Sequence, residues 1–153
     1  MSKIKTFKGM LAMGVEEKIH LSTNDGLKAY RINRFQIIPK NPGASNAEMM
    51  AKIFLTSQTG NIVDTVDFSD TDLLAVAFYQ DGSTIDNTQN ETIIFDKETF
   101  NQDIFIYFTD VSGQTNPGNF YIELEQFDID VNTSTYHTLK NIRSLTGPSF
   151  EFL

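Results

Sequence analysis

Two histidines, His20 and His137, stand 117 positions apart in a chain of 153 residues that contains no cysteine. Without a thiolate, disulfides, thiolate metal sites and cysteine nucleophile chemistry are excluded. Two such distant imidazoles make a poor metal or triad pair, so both are expected to be ordinary surface residues, His20 on the polar face of a strand and His137 just before a C-terminal helix. No G-x-S-x-G, G-x-x-x-x-G-K-[ST] or H-E-x-x-H motif occurs. The carboxylates offer two patterns. Asp128-x-Asp130-x-Asn132 imitates the start of a calcium loop, but Thr133 stands where the loop needs glycine and Leu139 where it needs a bidentate glutamate. The alternation of Ile129 and Val131 points to a strand instead. Asp64, Asp67, Asp70 and Asp72 crowd one segment, where like charges repel unless a cation or solvent screens them. They are expected to form a solvated acidic loop. A pair of acids able to hydrolyse a glycosidic bond is defined by spacing in the fold and is invisible at this level. The expectation is no catalytic residue, no cofactor and no metal.

The elements that would have to position such groups read as β-strands. Glu16–Thr23 alternates Ile19 and Leu21 against polar neighbours, and Asn24-Asp25-Gly26 supplies a turn. In Ala29–Ile38 the apolar residues shift from even positions (Tyr30, Ile32) to odd ones (Phe35, Ile37). In Asn119–Val131 they shift from Phe120, Ile122 and Leu124 to Phe127, Ile129 and Val131. A strand alternates faces with period two, so each shift predicts a bulge or sharp bend. Glu48–Ser57 reads as a strand, followed by a polar loop, 58–72. Leu73–Gln80 and Ile104–Thr109 are apolar on both faces, which places them centrally or against a second subunit. Thr92–Phe95 is a short strand. Residues 3–13 read as an extended segment interrupted near Gly9. Leu139, Ile142 and Leu145 predict a helix of two turns that Gly147-Pro148 ends. The sum is an all-β, antiparallel sandwich, jelly-roll-like, with about eight strands and a short C-terminal helix. One domain spans 1–153, with an N-terminal arm (1–13) and a C-terminal helix and tail (136–153).

Composition limits the partners. Net charge is −8; the first ten residues contribute +3 through Lys3, Lys5 and Lys8, so the rest carries −11. That balance argues against nucleic acid, and no apolar run is long enough to span a membrane. No signal-peptide-like run opens the chain, so the two N-x-[ST] sequences, at Asn90 and Asn132, are taken as chance. With 13 Phe, 5 Tyr and no Trp, aromatics serve the core better than a sugar-stacking platform.

Three blocks carry a resemblance. Ile4–Leu11 with Glu17–Gly26, Tyr30–Ile32 with Phe35–Pro39, and Asn119–Gln126 resemble small virion proteins of marine tailed bacteriophages, as does Phe100–Ile104. The resemblance implies a structural component of a phage particle, located in the virion, with no activity to carry over. The expected role is a capsid decoration or minor capsid protein that stabilises the head shell. Its expected partners are copies of itself, as a homo-oligomer with a trimer favoured, and the major capsid or other virion proteins. Candidate inter-subunit contacts are Lys3, Lys5 and Lys8 of the basic segment, Leu73, Tyr79, Phe105 and Tyr107 of the two-faced strands, and Phe150, Phe152 and Leu153 of the tail. The alternative is a carbohydrate-binding tail or fibre module that recognises a host-surface glycan through loops 58–72 and 81–92.

Overall fold

The computed structural model describes residues 2–42, 47–81, 89–95, 98–110 and 116–146. It contains β1 (Lys3–Leu11), β2 (Glu16–Ile19), β3 (Lys28–Pro39), β4 (Ala47–Phe54), β5 (Leu73–Asp81), β6 (Gln89–Ile94), β7 (Ile104–Asp110), β8 (Gly118–Asp128) and a helix, α1 (Val131–Thr146). The strands form a three-stranded sheet, β1-β8-β3, and a five-stranded sheet, β2-β7-β4-β5-β6, in which every ladder is antiparallel.

This is a jelly-roll-like sandwich. Rolling up one long hairpin of eight strands pairs β1 with β8, β2 with β7, β3 with β6 and β4 with β5. Three of those pairs are hydrogen-bonded ladders here. The fourth is a packing contact, because β6 ladders onto β5 instead and reaches β3 through Asn90 Nδ2, which donates to the Ile37 carbonyl at 3.4 Å. Between the sheets lies a core that includes Phe35, Ile37, Met49, Ile53, Leu74, Ile104, Ile106, Phe108, Ile122 and Leu124.

The two parity shifts have different causes. In β3 the register against β8 slips between Ile32 and Arg34, so Asn33 is the extra residue of a bulge. β8 has no such slip against β1. Its strand stops at Asp128, and Ile129 and Val131 belong to the passage into α1. Asp130 makes that passage: its carboxylate accepts from the Thr133 N–H at 2.7 Å, and its carbonyl accepts from the Ser134 N–H at 3.0 Å, the contacts of a helix N-cap. The helix therefore begins five residues before 136 and is 16 residues long, not two turns. β2 ends early, at Ile19, because Asp103 captures the next free amides. Its Oδ1 accepts from Leu21 N–H at 2.7 Å and Ser22 N–H at 2.9 Å.

Lys3–Leu11 is also no arm. It pairs with β8 along its whole length and runs unbroken through Gly9. A side chain at Gly9 would collide with the Phe120 ring, 2.9 Å from the position of its Cβ.

Candidate functional site

The second faces of β4, β5 and β7 are closed by the protein's own loop, 55–72. Met50, Phe54, Leu73, Val76 and Tyr107 form a small second core, and Ile62 of the loop packs on it. Tyr107 Oη donates to the Val63 carbonyl at 3.4 Å, and the Phe54 and Tyr107 rings stack at 5.7 Å. Leu73 and Tyr107 are thus buried within the chain, and Tyr79 is buried in the core between the sheets. Phe105 is half-buried. Phe150, Phe152 and Leu153 lie outside the described residues.

Lys52 is the centre of this region and carried no expectation. It is 2% exposed; its Nζ donates to the Thr65 carbonyl and lies 5.3 Å from the Tyr107 ring centroid and 5.9 Å from that of Phe54. Burial pushes its ammonium below the ordinary lysine range, while Asp64 and Asp70 pull it back up. Asp64 and Asp70 therefore stand near one buried cation, in a loop that its other carboxylates order from within. Asp67 accepts from the Ser69 N–H and hydroxyl, Asp70 from the Asp72 N–H, and Asp72 from the Thr56 hydroxyl. The loop covers a sheet face; of the other proposed loop, residues 82–88 lie outside the described residues. In the Asp128-x-Asp130-x-Asn132 run, Asp130 caps α1 and Asp128 pairs with Lys28. Among the described residues, no group of three or more His, Cys, Asp or Glu side chains is placed to hold a metal ion.

Among the described residues, polar groups converge at two further places. One lies under α1. His137 is not a surface residue before the helix but a buried one inside it, 9% exposed, with Nε2 3.1 Å from Thr99 Oγ1. Burial, then the nearby Lys140, hold its imidazole below the ordinary histidine range, with Glu98 opposing. Around it, Asn101 Nδ2 reaches the Gly26 carbonyl at 3.1 Å and Ser134 Oγ at 3.3 Å. Lys140 meets Glu98 at 2.6 Å, and Asn141 Nδ2 donates to the Leu55 carbonyl at 3.2 Å. Gly26, at φ +67°, leaves room for this clasp, since a Cβ there would fall 2.7 Å from Ser134 Oγ. The cavity beside His137 is about 10 Å³, the room of a single water. It cannot hold a substrate.

From Val131 to Ile142 the helix is thus mounted with its polar side inward. Ser134 and His137 face the body, while Val131, Tyr136 and Leu139 are 68%, 63% and 51% exposed. Burial would normally be arranged the other way round.

The second place is the side of the sandwich where β1 and β2 end their sheets. An open cleft of about 270 Å³ lies between them, with Phe7, Ile19 and Phe120 at its floor and Lys8, Glu17, Lys18 and His20 at its rim. His20 is exposed, as expected, and its Nδ1 stands 3.5 Å from Asp103 Oδ2; Lys18 reaches the same oxygen at 3.4 Å. Burial opposes ionisation of Asp103 more than any other single influence. Its hydrogen bonds to Ser22 and Leu21 and its contact with Lys18 together outweigh that, and hold the carboxyl below the usual range. Lys5, facing inward on β1, lies 5.9 Å from the Tyr30 ring centroid. The basic residues of β1 therefore belong to a sheet edge beside a cleft.

Compared with known protein families and with curated proteins, the chain matches none. No helix among the described residues is long and apolar enough to cross a membrane.

Proposed function

We propose that this chain is a non-enzymatic structural protein of a phage virion, a capsid decoration or minor capsid subunit that binds and stabilises the head shell. One observation carries the adhesive part: α1 is held to the body by hydrogen bonds and an ion pair while its apolar side faces outward. Leaving Val131, Tyr136 and Leu139 in water forgoes roughly 1.5–3 kcal/mol for each large side chain that a neighbour would cover. Ile4, Met10 and Ile38 add exposed apolar area on the outer face of the three-stranded sheet, where Met10 and Ile38 both lie opposite Asn119 of β8. The virion assignment rests on the resemblance of the sequence blocks, and the jelly-roll-like body suits a surface-tiling role. Copies of the chain, as a trimer, and the major capsid protein are the partners this role requires.

The test is to mix the purified protein with heads of the phage that encodes it and image the sedimented particles by electron microscopy. Ordered added density on the shell is expected. Heads that leave the protein in the supernatant, together with mass spectra of purified virions that lack it, would refute the role.

A further inference from the structure

A sheet edge is normally blunted, since its unpaired N–H and C=O groups invite another strand. Three of the four edges here are. β2 has four residues. β3 carries the bulge at Asn33, a two-bond bridge from Tyr30 to Phe100, and Pro39 at its end. β6 has six residues. β1 is different: nine residues in unbroken register with β8, no proline, no bulge, and no strand on its other side among the described residues. Every second residue of an antiparallel strand turns its N–H and C=O away from its partner, so β1 offers a row of such groups beside the cleft. Among the described residues, what guards it is charge: Lys3, Lys5 and Lys8, with no acid in the strand.

We propose that β1 is a strand-accepting edge whose occupant is an extended acidic segment of another polypeptide, added antiparallel to β1 alongside the cleft. The lysines settle the choice between occupants. A second β1 would bring three lysines against three, and like charges directly opposite one another destabilise a pair. An acidic strand gains from the same positions. The side-chain order of β1 specifies more. Lys5, Phe7 and Gly9 are half-buried on one side of the strand, Phe7 lining the cleft, and Ile4, Thr6, Lys8 and Met10 are exposed on the other. The incoming strand therefore needs acids beside Lys3, Lys5 and Lys8, and apolar residues over Phe7 and Gly9, where Ile19 and Phe120 floor the cleft. Main-chain hydrogen bonds would supply affinity, and these alternate positions the selectivity. The proposal deepens the structural role by naming the kind of partner segment, and it rests on that role only for where the segment comes from.

The experiment uses the intact protein and two synthetic peptides, followed by amide chemical shifts and hydrogen exchange. The acidic peptide is Thr-Ile-Val-Glu-Val-Thr-Glu-Val-Glu, laid out antiparallel to β1; its twin carries Lys for Glu. The acidic peptide should shift and protect alternate amides within Lys3–Leu11, with affinity falling as salt rises, and the lysine peptide should leave them unchanged. In the K3E/K5E/K8E variant the preference should reverse; its unaltered amide spectrum elsewhere would certify the fold. The proposal is overturned if neither peptide perturbs β1, if both bind equally, if the shifts lie away from β1 and the cleft, or if β1 amides are already protected by a second copy without peptide. Head binding is measured separately, so a negative peptide result would reject this edge while leaving the virion role to its own test.

Discussion

Two surfaces of this protein meet the same problem in opposite ways. The outer face of β4, β5 and β7 is apolar, and loop 55–72 seals it, burying Phe54, Leu73 and Tyr107 around a lysine ammonium. Helix α1 also has an apolar side, but the chain docks it by its polar one, through Ser134, His137 and Asn141. A surface closed by apolar contact belongs to the fold and yields only with it. On the helix held by hydrogen bonds, Val131, Tyr136 and Leu139 instead stay largely exposed.

The largest effect that would break this contrast lies in the sealed region. Phe54→Ala should lower unfolding stability by about 3 kcal/mol in urea titrations, since it opens a cavity where the ring stacks on Tyr107. A loss below about 1 kcal/mol would mean the loop does not seal that face. Next, Lys52→Ala should cost about 2 kcal/mol by leaving the Thr65 carbonyl unpaired and Asp64 and Asp70 without their buried cation. Hydrogen exchange should show the loss concentrated in residues 55–72.

The third effect is local to α1 and depends on pH. Burial and Lys140 depress the His137 pKa in the docked helix, so docking binds fewer protons than release. Its contribution is fully present above the ordinary histidine value of about 6.5 and declines as pH falls through that value toward the depressed one. Exchange protection of α1 amides should fall in that window while β4 and β7 amides hold theirs, and His137→Gln should flatten the dependence. Unchanged α1 protection down to pH 5 would show that the helix is not held by this clasp.

Much of the fold was legible because it follows from alternation. Both-faced strands at Leu73–Gln80 and Ile104–Thr109 and the bulge in β3 appear in the pattern of apolar residues, and the turn at Gly26 in Asn24-Asp25-Gly26. The second parity shift looked identical in sequence and proved to be a strand ending, because Asp130 stops one ladder and caps the next element. The spacing of Leu139 and Ile142 disclosed a helix but not which side faces in. Periodicity says which residues share a face; what covers that face is decided elsewhere in the chain. For the same reason His137 passed as a surface residue, and Lys52 and Asn101, whose partners are 13 to 75 positions away, gave no signal at all. The cleft beside β1 was equally hidden, since two strands adjacent in sequence, β1 and β2, meet there from different sheets.

The most direct test uses the Tyr136→Ser, Leu139→Ser double variant, measured both for urea unfolding and for retention on phage heads by sedimentation. With both side chains largely exposed, unfolding stability should stay within about 0.5 kcal/mol of the parent, while retention on heads falls at least tenfold. A variant that binds heads as the parent does, or one that loses several kcal/mol of stability, would contradict the account, because the outward side of α1 would then be either idle or part of the fold.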